Sequence, residues 1–183
     1  KITETDFEVN PKWCTEWHTN NFGIEIRRQR SSEPMPGKHG GQAQVYELDR
    51  ERGSVIRELF PDHFPEGDTA RREFLKDMCI WRQMSLMSEH VCTLTGWYLD
   101  LDTKSAGFKL KRYDTTLQEA IHSREYKGTV QKMLELTLGV VNAVYGVKDK
   151  FPQLLLPDIK SENFMLDRSI SSGDARVVLI DLC

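Results

Sequence analysis

The stretch that decides the fold lies near the carboxyl end of the chain. It reads Leu156-Pro157-Asp158-Ile159-Lys160-Ser161-Glu162-Asn163-Phe164-Met165-Leu166, and a second stretch, Val178-Leu179-Ile180-Asp181-Leu182-Cys183, follows it. The first places an acid, a base and an amide in a short turn between apolar segments, and the second carries a carboxylate directly after an apolar run. Because apolar residues flank both, the sequence favours a turn held between buried strands over a solvated loop.

Four side chains of these stretches are suited to chemistry. Asp158 would orient a hydroxyl group and accept its proton, and Lys160 would neutralise a phosphoryl group in transfer. Asn163 and Asp181 would supply oxygen ligands to Mg²⁺, a hard cation that prefers oxygen donors. Asp158 and Lys160 are therefore the candidate catalytic residues, and Asn163 and Asp181 are the candidate metal ligands.

A glycine-rich segment lies upstream. Gly37, Gly40 and Gly41 predict a turn that enters a strand containing Val45, and backbone N–H groups in such a turn can approach phosphates. Glycines also punctuate ordinary hairpins, so this turn by itself is open to either interpretation.

Two residues of opposite charge follow the glycines. Arg57 lies in the middle of a strand predicted at 54–60, and Glu73 lies near the start of a helix predicted to begin at Asp68 or Thr69. Glu73 would pair with Arg57 if the helix packs on the sheet, whereas exposure is the default for either charge alone. The candidate nucleotide-binding residues are therefore Gly37, Gly40, Gly41, Val45, Arg57 and Glu73.

The apolar pattern predicts both strands and helices. Alternation predicts a strand at 22–26, which Pro34-Met35-Pro36-Gly37 would break. Further strands are predicted at 93–101, 107–113, 154–156, 164–166 and 177–180, and a short helix at 117–122. Helical spacing predicts that 129–147 is a long core helix with its apolar positions buried; these are Val130, Met133, Leu134, Leu138, Val141 and Val144.

The composition is that of a globular domain. The chain has 183 residues, 39% of them hydrophobic, and a net charge of −3 from 25 basic and 28 acidic residues. No apolar run approaches the roughly 20 residues that cross a bilayer, and no basic cluster is large enough to predict nucleic-acid binding. We therefore expect neither a membrane nor a nucleic acid among the partners.

The cysteines and the first residues bear on the compartment. Cys14, Cys79, Cys92 and Cys183 form no C-x-x-C pair, which favours reduced intracellular thiols, while their even number leaves disulfides open. The chain begins at Lys1 without an apolar leader, and we expect a fragment or an excised domain whose targeting the sequence does not give.

Over about residues 37–183 the chain resembles the protein-kinase family. That family carries a catalytic segment H-R-D-L-x-x-x-N and a metal-binding motif D-F-G, after a glycine loop, a cationic strand and a helix glutamate in the same order. Among kinases the chain is most similar to the spindle-checkpoint Bub kinases and Bub-related pseudokinases. The segments that carry this similarity are Ala43-Gln44-Val45-Tyr46-Glu47, Glu73-Phe74, Thr116-Leu117-Gln118-Glu119-Ala120-Ile121, Asp158-Ile159-Lys160 with Asn163-Phe164, and Leu179-Ile180-Asp181-Leu182.

The resemblance implies a bilobal α+β fold. It implies an N-terminal extension at 1–33, an antiparallel β-sheet N-lobe with one packed helix and a hinge at 34–113, and the start of a helical C-lobe at 114–183. It also implies ATP and Mg²⁺ as cofactors, serine/threonine kinase chemistry, protein partners in a checkpoint complex, and a nuclear, kinetochore or cytoplasmic location. The activation segment and later C-lobe helices of kinases have no counterpart here, so we expect this chain alone not to phosphorylate proteins efficiently.

The sequence departs from the family pattern where catalysis is supported. Arg57 stands in place of the strand lysine, and its planar guanidinium is not an ammonium. Leu156-Pro157 replaces the His-Arg pair before the catalytic aspartate, and Cys183 replaces the glycine of the metal motif. Lys38 and Ala43 stand where the outer glycines of the loop belong.

Three functions are therefore open. The first is a degenerate kinase domain that binds ATP and Mg²⁺ with weak or absent activity, and the four retained catalytic and metal residues favour it. The second is a pseudokinase that acts as an interaction scaffold, which Arg57, Pro157 and Cys183 favour. The third is a divergent secreted effector kinase or a small-molecule kinase; a leader peptide before Lys1 would favour it, whereas checkpoint-binding repeats there would favour the Bub type.

Overall fold

The computed structural model describes two compact units. The described residues are 27, 29–39, 41–49, 51–113, 115–124, 126, 130–152, 159–168 and 175–180, so the strands predicted at 22–26 and 154–156 lie outside them. The described part of the first unit is 27–82 with Thr93–Arg112, and that of the second is Gln83–Cys92 with 113–180. The division falls within helix α1 (Gly67–Met87).

The first unit is built on a five-stranded antiparallel sheet. Its strands are β1 (Arg30–His39), β2 (Ala43–Leu48), β3 (Ser54–Leu59), β4 (Leu94–Asp100) and β5 (Ser105–Lys111), in the order β1-β2-β3-β5-β4. The strands predicted at 54–60, 93–101 and 107–113 are confirmed. A tight turn joins β4 to β5, in which Lys104 has a φ of 48° and the Asp100 carboxylate accepts hydrogen bonds from the backbone of Asp102 and Thr103.

Strand β1 runs through 34–37, where the two prolines predict a break. Pro34 and Pro36 both lie within the strand. β1 is an edge strand, and its pairing with β2 shifts register on both sides of Pro34. Proline cannot donate a ladder hydrogen bond, but an edge strand or a bulge does not require one from every residue. The predicted break is therefore wrong, because it ignores where in the sheet the segment lies.

Helix α1 packs on one face of this sheet through aromatic side chains. Phe74 meets Trp97 of β4 edge to face, with ring centroids 6.4 Å apart. Two turns further on, Trp81 meets Phe108 of β5 at 5.3 Å and is only 2% exposed. Such pairs contribute about 0.5–1.5 kcal/mol each beyond their buried area, so they fix which face of the helix meets the sheet.

Cys79 of α1 is in a disulfide bond whose partner lies outside the described residues. Its side chain is buried, and Cys92 is also buried but is not in a disulfide. The expectation of reduced thiols is therefore wrong for Cys79. Disulfides in proteins persist mainly in oxidising compartments.

The described part of the second unit combines a three-stranded antiparallel sheet with two helices. The strands are β6 (Thr115–Thr116), β7 (Phe164–Asp167) and β8 (Arg176–Leu179), and the helices are α2 (Leu117–His122) and α3 (Val130–Lys150). The helices predicted at 117–122 and 129–147 are confirmed. A capping box begins α2: the Thr116 hydroxyl accepts a hydrogen bond from Glu119 N at 3.0 Å, and the Glu119 carboxylate accepts one from Thr116 N at 2.8 Å.

Helix α3 packs on β8 through its smallest residues. A Cβ added at Gly139 would lie 2.5 Å from Val177 Cγ2, and Ala143, one turn later, is fully buried. The opposite face of the helix is exposed, and its large apolar residues are Val130, Leu134, Leu138, Val141 and Tyr145. The prediction that Val130, Leu134, Leu138 and Val141 are buried is therefore wrong, because the helix packs through the face that carries Gly139 and Ala143 together with the buried Leu136 and Val147. No helix among the described residues is long and apolar enough to cross a membrane.

Candidate nucleotide-binding and metal-binding residues

Arg57 lies on the face of the first sheet that α1 covers. Its direct partners in the antiparallel ladder are Val45 on β2 and Phe108 on β5, and directly opposed residues project to the same face. The Arg57 guanidinium lies over the Phe108 ring, 5.6 Å from its centroid. Trp81 packs on the same ring. The half-buried cation and the helix therefore share Phe108 as a neighbour.

Two carboxylates of α1 differ in their surroundings. The Glu73 side chain is exposed, whereas Asp77, one turn later, is half-buried. Burial, and then the neighbouring Glu73 carboxylate, raise the pKa of Asp77. Asp77 lies three residues after Phe74 and four before Trp81, which places it beside the face that meets the sheet. Asp77 was not predicted from the sequence, although its spacing from these aromatic residues was a usable signal.

The opposite face of the sheet carries a polar cluster behind Arg57. Glu58, the next residue, accepts a hydrogen bond from the Tyr98 hydroxyl and forms an ion pair with Arg30, whose Nε lies 3.2 Å from the carboxylate. The Arg30 guanidinium lies 4.2 Å from the ring centroid of Tyr46. Burial, strengthened by the hydrogen bond to Glu58, raises the pKa of Tyr98. These contacts stabilise β3 on the face of the sheet opposite to the one that α1 covers.

The glycine segment is only partly a turn. Gly37 lies within β1, Gly40 lies outside the described residues, and Gly41 lies in the bend that enters β2. Among the described residues, a Cβ added at Gly41 would meet nothing within 4 Å. Packing against that part of the chain therefore does not require glycine at this position. Val45, two residues into β2, is half-buried.

Asn163 is the most constrained candidate residue of the second unit. It ends a 3-10 turn, Ser161–Asn163, and is 7% exposed. Its backbone N donates to the Lys160 carbonyl at 3.0 Å, and its carbonyl accepts a hydrogen bond from Ile180 N at 2.9 Å. Ile180 directly precedes Asp181 in the sequence. The fold therefore joins the backbone of the amide to the backbone that leads into the second carboxylate.

Of the other candidate residues of this unit, the structure describes Lys160. Lys160 is exposed at the start of the 3-10 turn, while Asp158 and Asp181 lie outside the described residues. Within the described residues, no group of three or more His, Cys, Asp or Glu side chains is placed to hold a metal ion. The oxygen chemistry of Asn163, together with that of Asp181, nevertheless fits the hard-oxygen ligand set that Mg²⁺ prefers.

Comparison with known proteins identifies the fold. The kinase domain of PknI from Mycobacterium tuberculosis matches with a TM-score of 0.58 and 18% identity, over 84% of this chain and 59% of that domain. A mutant form of the same domain matches with a TM-score of 0.59 and 21% identity, again over 84% and 59%. No protein-family model and no curated protein matches the chain. The chain therefore has the α+β fold of protein kinase domains, and it spans about three fifths of the length of those it matches.

Proposed function

We propose that this chain is a kinase-like domain that binds ATP together with Mg²⁺ and has weak or absent phosphotransfer activity. The observation that carries the proposal is the hydrogen bond from Ile180 N to the Asn163 carbonyl, at 2.9 Å. The bond links the backbone of the buried Asn163 to Ile180, the residue that precedes Asp181. Oxygen atoms of Asn163 and Asp181 would hold the metal, which would neutralise phosphate charge when bound.

Cationic and backbone groups would bind the nucleotide. Arg57 would balance phosphate charge, and the exposed Glu73 carboxylate of α1 would orient its guanidinium. The backbone at Gly37, Gly40 and Gly41 would approach the phosphates, and Val45 would contact the base. In a complete reaction Asp158 would orient the acceptor hydroxyl and Lys160 would neutralise the transferred group.

Weak activity is the expected result of the substitutions around these residues. Arg57 carries a planar guanidinium where kinases have the ammonium of a lysine. Pro157 replaces a side chain that supports the catalytic aspartate in kinases. Cys183 stands at a backbone position where kinases have glycine, and it allows fewer backbone conformations. A pseudokinase scaffold is the limiting case of this proposal. The Bub-type assignment, with checkpoint partners and a nuclear or kinetochore location, rests on the sequence segments alone.

A second candidate function is supported by the disulfide at Cys79. A kinase-like domain that works in an oxidising compartment, such as a secreted effector kinase, would keep such a bond, whereas glutathione would reduce it in the cytosol. Peptide mapping of the protein purified from its native source under non-reducing conditions separates the two. An oxidised Cys79 supports the secreted form, and a free thiol supports the intracellular one.

Calorimetric titration tests the main proposal. We expect Mg-ATP to bind the wild-type chain, EDTA to abolish the metal-dependent part, and Asn163→Ala to do the same. Asn163→Asp keeps an oxygen ligand and should retain part of the binding. Glu162→Gln is the matched control, because Glu162 is an exposed neighbour and its loss should leave binding unchanged. No binding of wild type at millimolar Mg-ATP would overturn the proposal and leave the scaffold function.

A further inference from the structure

We propose that His90 is a positioning residue for the candidate metal ligand Asn163, holding strand β8 in the place from which Ile180 contacts Asn163. The proposal rests on the proposed function, since the metal site is part of it. It concerns the segment Ser88–Cys92, which follows α1 and contacts β8 within the second unit.

The backbone of this segment pairs with β8. Leu179 N donates to the His90 carbonyl at 2.8 Å, and Cys92 N donates to the Leu179 carbonyl at 2.9 Å. Val91 and Leu179 form a parallel bridge between these two bonds. On its other side, β8 pairs with β7. The segment thus adds a short parallel partner to β8 at the end that Ile180 follows.

The His90 side chain adds a contact that the backbone alone does not supply. Its Nδ1 lies 3.1 Å from the Val177 carbonyl oxygen. A carbonyl oxygen can only accept, so Nδ1 carries the proton and donates it. The imidazole therefore holds β8 two residues before Leu179, where the backbone pairing with the segment begins.

Helix α3 leaves room for this ring. A Cβ added at Gly146 would lie 3.0 Å from His90 Cδ2, which is tighter than side chains ordinarily allow. Val147, the next residue, is fully buried. Glycine at 146 therefore lets the imidazole lie against the helix backbone and keeps its Nδ1 aimed at Val177. The ring is held between a helix and a strand, which fixes the geometry of the hydrogen bond.

The consequence for the candidate site follows from the continuity of the chain. Ile180 follows β8, and its N donates to the Asn163 carbonyl. A shift of β8 along its axis would move Ile180 against Asn163 and displace this candidate metal ligand. Partners that orient metal ligands commonly contribute 10–100-fold to metal affinity, and we expect the lower part of that range because His90 acts through the backbone.

The test separates positioning from general stability. His90→Ala should weaken Mg-ATP binding roughly tenfold and leave metal-free ATP binding unchanged. His90→Asn should restore much of the loss, because its amide NH₂ can donate from near the position of Nδ1. His122→Ala, which removes an exposed imidazole on α2, is the matched control. An equal loss of binding with and without metal, or no loss in His90→Ala, would overturn the proposal.

Amide hydrogen exchange gives a second readout that needs no nucleotide. In His90→Ala the amides of Leu179 and Ile180 should exchange faster, while the capped amide of Glu119 in α2 should be unchanged. If wild type binds no Mg-ATP, the proposed function fails and the assignment to a metal site fails with it. If wild type binds and both readouts of His90→Ala match wild type, only the positioning proposal fails.

Discussion

Replacing Gly107 with alanine should destabilise the sheet that carries Arg57. Gly107 lies in β5, opposite Glu58 on β3 and Tyr98 on β4. A Cβ at this position would lie 2.8 Å from the Arg57 carbonyl oxygen and 2.8 Å from Tyr98 Cε1. Neither neighbour can withdraw easily, because the carbonyl belongs to a central paired strand and Tyr98 is fully buried with its hydroxyl bonded to Glu58.

The expected magnitude follows from the cost of overpacking. Extra methyl groups in a filled core cost about 1–3 kcal/mol, and for a chain of this length each kcal/mol lowers Tm by about 2–4 °C. We therefore expect Gly107→Ala to lower the free energy of unfolding by about 1–3 kcal/mol and Tm by about 2–12 °C.

A glycine in open space provides the control. A Cβ at Gly53, in the turn between β2 and β3, would meet none of the described residues within 4 Å, so Gly53→Ala should stay within about 0.5 kcal/mol of wild type. Urea denaturation and thermal unfolding of both variants measure the difference. Equal stabilities for Gly107→Ala and Gly53→Ala would refute the close approach of the Arg57 carbonyl and the Tyr98 ring to Gly107.

Other perturbations test other parts of the structure. In the folded protein, burial and the neighbouring Glu73 carboxylate raise the pKa of Asp77. Ionisation of Asp77 therefore lowers the stability of the fold as the pH rises above about 3.9, the pKa of an aspartate in an unfolded chain. Asp77→Asn should therefore raise Tm at neutral pH, and the gain should vanish below that value; a gain independent of pH in thermal scans would contradict this. Gly139→Ala should lower the free energy of unfolding by up to ~2 kcal/mol, even though alanine is favoured over glycine in a helix by ~1 kcal/mol. Adding Val177→Ala to this variant should recover part of the loss. Strict additivity of the two substitutions in a double-mutant cycle would argue against the contact between Gly139 and Val177. In unfolded but unreduced protein a maleimide should modify Cys92 and not Cys79, and labelling of both would disprove the disulfide.

Local patterns predicted the elements whose determinants are local. Helix α2 begins with a capping box formed by Thr116 and Glu119, so its start is encoded within one turn. The strand that carries Arg57 was predictable from its apolar flanks. Strand β1 was not, because Pro34 is tolerated only owing to its edge position, and that position depends on pairing with β2.

The packing of α3 shows a further limit of periodicity. An apolar stripe containing Leu134 and Leu138 predicts a buried face, yet the close approach of Gly139 to Val177 decides which side meets β8. The size of the gap between helix and strand is a tertiary property. Hydrophobicity alone therefore selected the wrong face, even though the extent of the helix was predicted well.

The candidate site was predicted by residue type and not by arrangement. The sequence identifies Asn163 because an amide follows an acid and a base between apolar segments. It does not give the bond from Ile180 N to the Asn163 carbonyl, which depends on how the strand register of β7 and β8 continues beyond its last pair, Phe164 with Leu179. Asp77 was not predicted because the sequence shows that Glu73 and Asp77 are both acidic but does not show that Asp77 is the more buried of the two.

Paramagnetic broadening tests the central claim most directly. Mn²⁺, which accepts the same oxygen ligands as Mg²⁺, would be added in substoichiometric amounts to labelled protein with and without ATP. We predict that the side-chain amide of Asn163 and the backbone amide of Ile180 broaden strongly when ATP is present and only weakly without it. Resonances of Asn163 and Ile180 that stay sharp in the presence of ATP would contradict a metal-bound nucleotide at this site.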